Sequence, residues 1–319
     1  MISVLSYDGT LAGLFALLDR LWAEPLPEIL QVRRPPCPSG FPPAPENPQP
    51  GLFDGAAGPR LPSGRFRSPP DLLPEPAALD GAAGILFQVS ADAYDALVYA
   101  WMHAVPLEAP ALRYALAVLS SAERAVPAAD RSGGSGAALP ADGAPWYSRG
   151  EARREASRAA RNRGEEDCRI VLAAAYRVAR ELDRLRGFLR FKPDSQGRYR
   201  ARCGPDHFIL PALEPHFTRR FGDTPWAVVD ERRGLALVMD GEPRIISAGD
   251  EFSPRGGGES RDSGPGCRDA PRFDAWERLW RSYHRTINIE SRKNLALQRQ
   301  FVPRRYRQYT TEFSPDCPE

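Results

Sequence analysis

Three stretches dominated by Pro, Gly and Ala decide how this chain can fold, because none of them can supply an element with one buried face. They run over Arg33 to Asp80, Val126 to Ala144 and about Gly249 to Pro271. Proline lacks the donor N–H and glycine loses the most entropy on ordering, so a run such as RRPPCPSGFPPAPENPQPG reads as insertion or linker. With 33 prolines and 27 glycines in 319 residues, the ordered part is expected to be smaller than the chain. The expected organisation is an N-terminal strand and helix over 1–32, a disordered insertion over 33–80 and a strand with a helix pair over 84–125. A linker follows over 126–150, then a long helix and antiparallel sheet over 151–248. A disordered loop over 249–271 precedes a C-terminal amphipathic helix and basic segment over 272–310.

Between these breaks the apolar spacing predicts a βα start. Ile2 to Ser6 is a strand, Asp8-Gly9-Thr10 a turn and cap, and Leu14, Phe15, Leu17, Leu18, Leu21 and Trp22 one face of a helix. Asp-Gly before a helix also suits a phosphate-binding turn, but GxGxxG and GxxxxGK are both missing, so ordinary capping is the simpler reading. Ile85 to Val89 reads as a strand, followed by helices through about Ala104 and from about Ala109 to Glu123. A long helix is expected from about Glu151 to Arg186, ended by Gly187. Strands are expected at Phe188 to Phe191, Tyr199 to Cys203, Trp226 to Asp230, Leu235 to Met239 and Arg244 to Ile246, with a helix from Pro211 through Phe221. The fold class is α+β, a mainly antiparallel sheet with covering helices, interrupted by long disordered Pro/Gly-rich loops.

Charge is distributed unevenly. The chain as a whole carries only +2, yet Phe273 to Tyr309 holds nine Lys/Arg, seven aromatics and three acids. Arginine forks onto phosphate and aromatic faces accept bases, so this composition favours nucleic acid. Trp276, Leu279, Trp280, Tyr283 and Ile287 fall on one helical face, which reads as core; Arg278, Arg281 and Arg285 form a second stripe. Beyond them, Pro303 breaks the helix and the arginines crowd two aromatics. Arg292, Lys293, Arg299, Arg304, Arg305 and Arg307 are therefore the candidate phosphate contacts. Arg186, Arg190, Lys192, Arg219, Arg220, Arg232 and Arg233 add basic character nearer the sheet. Phe188, Phe191 and Tyr199 read either as core or as a stacking platform for single strands.

Within CGPDHFILPALEPHF, Asp206 and His207 are adjacent after a Gly-Pro turn. Imidazole titrates near neutrality, so the pair could do acid/base work; the alternative is a turn cap with a locally bonded ring. Cys203, His207 and His216 fit no zinc spacing, so neither metal nor cofactor is expected. The cysteines at 37, 168, 203, 267 and 317 are dispersed, and the start has neither a basic leader nor a cleavage site. A cytoplasmic protein without a membrane span is expected.

The stretches Tyr7-Asp8-Gly9, GFLRF (187–191), PDHFILP (205–211), PHFTRRF (215–221), PWAVVDERRG (225–234) and LWRSYHRTINIESRKNLALQRQFVPRRYRQY (279–309) carry a resemblance. Together they resemble a bacterial family of unknown function whose members are labelled DNA metabolism or repair proteins. The resemblance implies DNA as a partner, together with a radical S-adenosylmethionine (SAM) protein assigned to DNA modification or repair. Some relatives are fused to a uracil-DNA-glycosylase-like domain, and nothing after Tyr309 is long enough to be one. No cysteine triplet for an iron-sulfur cluster is present, so the radical chemistry would belong to the partner. The resemblance assigns no catalytic residue. It leaves three functions open: a DNA-binding accessory, a nucleic-acid-processing enzyme using Asp206 and His207, and an adaptor with a basic docking tail.

Overall fold

A computed structural model describes residues 2–24, 29–33, 79–127, 145–194, 197–249, 279–280, 282–283, 286–287, 289–292, 294, 296–297 and 301–310. Most of the three Pro/Gly-rich stretches, Asp274, Trp276, the Arg278, Arg281 and Arg285 stripe, Lys293 and Arg299 lie outside them. The chain forms two compact units. One comprises 1–39, 43–182 and 206–209; the other comprises 40–42, 183–205 and 210–319.

The first unit opens as a βαβ turn. Strand β1 (Ile2–Ser6) leads into α1 (Leu11–Ala23) and returns as β2 (Ile29–Arg33), parallel to β1. The Asp8 carboxylate accepts from the Thr10 N–H and hydroxyl, and the Thr10 hydroxyl accepts from Gly13 N–H, so capping explains this turn. Four helices follow: α2 (Gly81–Val89), α3 (Ala91–Met102), α4 (Glu108–Arg124) and α5 (Gly150–Ala159). The strand expected at Ile85 to Val89 is therefore helical. A short run of apolar residues looks alike in a strand and in a helix buried on several sides, and α2 buries Ala82, Ala83, Gly84, Leu86 and Val89. Helix α6 (Glu166–Phe188) contributes to both units. The single long helix expected from Glu151 is interrupted before it, where Asn162 and Gly164 form a turn closed by Gly164 N–H donating to the Asn162 side chain.

The second unit is a five-stranded sheet in the order β3-β4-β5-β6-β7, with α7 (Leu210–Phe221) between β4 and β5 in sequence. Its strands are β3 (Lys192–Pro193), β4 (Tyr199–Cys203), β5 (Trp226–Asp230), β6 (Leu235–Asp240) and β7 (Glu242–Ser247). Three of the pairings are antiparallel, but β4 and β5 run parallel, so the α+β class holds with a mixed sheet. The cause is α7, because a helical crossover returns the chain in the direction it left. Phe188 belongs to α6 and Phe191 lies just before β3, so only Lys192 and Pro193 of that region pair as strand. Phe217 and Trp226 pack at a centroid distance of 5.9 Å on one face of the sheet, and Ala227, Val229, Ala236 and Val238 form a buried cluster on the other.

The aromatic face expected to be core near the C-terminus is not buried. Leu279, Trp280, Tyr283 and Ile287 are 57%, 41%, 53% and 54% exposed. Helical spacing assigns residues to a shared face but does not determine whether another element covers it. Among the described residues, no helix is long and apolar enough to cross a membrane.

Candidate functional site

Asp206 and His207 lie in the first unit, held by a carboxylate that the sequence did not single out. The Asp206 and His207 N–H groups donate to Glu181 Oε1 and Oε2 at 2.9 and 2.8 Å, and Glu181 on α6 is buried. Two backbone donors on one carboxylate fix the turn through charge-assisted bonds. His207 Nδ1 accepts from Ala104 N–H at 3.1 Å, so the neutral ring carries its proton on Nε2. The His103 ring packs on it at a centroid distance of 4.6 Å. Burial holds the His103 pKa below the usual imidazole range; a backbone bond to Val105 opposes this and the Arg177 charge reinforces it. Two imidazoles this close resist being charged together.

Other bonds tie this turn to the N-terminal YDG. Phe208 N–H donates to the Met102 carbonyl, the Trp101 ring meets Phe208 edge-on, and Trp101 Nε1 donates to the Gly9 carbonyl. Tyr7 donates its hydroxyl proton to buried Glu108. The arrangement positions backbone, and any proton the His207 ring exchanges passes through Nε2. Of the other two weighed metal ligands, Cys203 and His216 lie in the second unit, and the Cys203 thiol is buried and donates to the Val229 carbonyl. Among the described residues, no three His, Cys, Asp or Glu are grouped to hold a metal ion.

The candidate phosphate contacts among the described residues, Arg292, Arg304, Arg305 and Arg307, lie in the second unit. Helix α8 (Arg304–Arg307) follows Pro303 and presents Arg304 and Arg305 to solvent. Its anchor is Tyr306, which is fully buried with its ring against Phe188. The Arg305 guanidinium lies 4.7 Å over the Tyr306 ring and donates to its hydroxyl. Arg307 is half-buried and donates to the Val302 carbonyl. Tyr309 donates to Glu231, which also pairs with Arg202. A Cβ at Gly204 would come within 2.8 Å of the Tyr309 hydroxyl, so only glycine lets this tyrosine approach. Arg292 is exposed. Of the arginines weighed nearer the sheet, Arg233 is committed elsewhere: its guanidinium binds fully buried Asp230 at 2.9 Å and the Pro205 carbonyl.

A second cationic group surrounds the open end of the sheet. Arg200 and Arg202 alternate along β4, Lys192 is the register partner of Arg200, and Arg198, just before the strand, pairs with Asp194 at 3.0 Å. Burial lowers the Arg200 pKa, and the charges of Arg202 and Arg198 lower it further against Asp194 and Glu231.

The model of a domain of unknown function, DUF4130, matches residues 150–312. The chain belongs to the DUF4130 family. No curated protein and no solved structure matches it. The DUF4130 match takes in Glu181, the Asp206-His207 turn and α8, but Tyr7, Trp101, His103 and Glu108 precede it. The sequence signals for the missed partners were weak. Glu181 is one acid in a charged helix, and His103 is a single histidine at the end of α3.

Proposed function

We propose that this protein binds DNA and serves a repair or modification reaction as the companion of a radical SAM protein. The observation that carries the DNA reading is the anchored cationic turn at α8. There, exposed Arg304 and Arg305 are carried on a helix fixed by a fully buried tyrosine. An arginine held over an aromatic ring loses less rotamer freedom on meeting a phosphate than one on a free tail. The resemblance to proteins labelled for DNA metabolism supports DNA as the polyanion and supplies the radical partner. Asp206 and His207 have no catalytic part in this reading, since their bonds organise backbone.

The test is a salt titration of duplex binding. Each phosphate contact adds about 0.9 to the slope of log affinity against log salt. Replacing both Arg304 and Arg305 with Ala is expected to flatten the slope by about 1.8. An unchanged slope would remove α8 from the interface.

A further inference from the structure

We infer that the second unit carries a base-stacking subsite for single-stranded nucleic acid, centred on Tyr199 at the β3–β4 edge of the sheet. The inference rests on the nucleic-acid reading and adds which form of strand is taken. Tyr199 is the aromatic of this region that remains open, at 37% exposure, while Trp226, its register partner on β5, is fully buried. One face of the Tyr199 ring is already stacked on Phe221, at a centroid distance of 5.4 Å and an interplanar angle of 28°. Phe221 is in turn braced by Phe191 at 4.7 Å, and Phe191 by Phe217 at 4.8 Å. A ring supported from behind by packed aromatics is held in place before any base arrives, which reduces the ordering cost of stacking.

Arg198, next to Tyr199 in sequence, pairs with Asp194 at 3.0 Å, so the cations considered beside this ring are those at the end of α7. Lys192 and Arg200 are register partners across β3 and β4 and, by strand alternation, belong to the sheet face opposite Tyr199. On the helix side, the Arg220 guanidinium lies 5.9 Å over the Phe221 ring. His216, one turn earlier on α7, has its pKa lowered by burial and then by the charges of Arg186, Arg220 and Arg219. Arg219 and Arg220 are exposed. An exposed, pre-stacked ring beside the cations at the end of α7 matches the chemistry of a flexible strand: a base on Tyr199 and its neighbouring phosphate on Arg220. A duplex keeps its bases stacked on one another and offers no free base face along its length.

Fluorescence anisotropy would test this, using the full chain and three labelled probes of about 12 nucleotides. The probes are oligothymidylate, an abasic strand of the same length, and a duplex. Tyr199→Ala is expected to weaken oligothymidylate binding about 5- to 150-fold, the usual range for one lost stacking contact. Tyr199→Phe should retain affinity, and neither variant should alter binding of the abasic strand or the duplex. Equal loss on all three probes would reduce Tyr199 to a structural role, and no loss on oligothymidylate would remove the subsite. Either result leaves the α8 reading standing if the Arg304 and Arg305 salt slope still changes. Failure of the native chain to bind any probe would overturn both. Thermal melts of both variants show whether the fold is retained.

Discussion

At the scale of single residues, the groups with the most displaced chemistry are engaged in structure. Asp95 on α3 has its pKa pushed up to about 7, first by burial and then by the Asp92 charge. A carboxyl raised in the folded state binds a proton that the unfolded chain releases above its ordinary pKa. Its stabilising contribution is complete below 3.8, the ordinary value for aspartate, and is lost as pH rises towards 7. His103, held low by burial, acts in the opposite direction, since its contribution is lost as pH falls below 6.5. Asp95→Asn separates the two. The variant should match the native chain near pH 4 and melt at a higher temperature near pH 8, and a constant difference across pH would refute the buried-charge account. Asp206 and His207 show what sequence reading reaches at this scale. Their adjacency after Gly-Pro identified a turn, but the carboxylate that binds both N–H groups lies 25 residues before Asp206. A partner at that separation leaves no local pattern.

Among the elements, those with a strong period were legible and those decided by tertiary neighbours were not. Strand β4 and helix α4 fall where alternation and helical spacing put them, because half-buried elements display their period directly, while β5, buried at every position, is marked by a short apolar run between turns. Helix α2 was read as a strand because its apolar run is short and its packing is set by a contact outside the run. A Cβ at Gly84 would lie 2.0 Å from the Leu79 carbonyl oxygen. Helix propensity alone favours Gly84→Ala by about 1 kcal/mol. Overpacking against a backbone atom typically costs about 1–3 kcal/mol and should win, so the variant is expected to be less stable in urea. A gain in stability would show that the Leu79 carbonyl moves aside freely. The helix between β4 and β5 is expected from the sequence, but their parallel pairing is not, because the sequence does not show which strands become neighbours in the sheet.

For the molecule as a whole, the DUF4130 match and the folding units do not share boundaries. A fragment spanning 150–312 retains Glu181 and the turn it holds but lacks Met102 and Ala104, which bond Phe208 and His207. Each such bond contributes about 0.5–1.5 kcal/mol net, so the fragment should unfold at lower urea than the full chain, with a broader transition. Equal midpoints would mean that the turn is held from within the matched segment. The net charge of +2 likewise predicts little about this protein, because the basic excess is local, with nine Lys/Arg against three acids over 273–309. Residues 206–209 belong to the first unit while their neighbours on both sides belong to the second. No single cut in the gene can therefore separate the two. A single crossover between related genes that fell between positions 182 and 205 would take the Asp206-His207 turn from one parent and both Glu181 and Ala104 from the other.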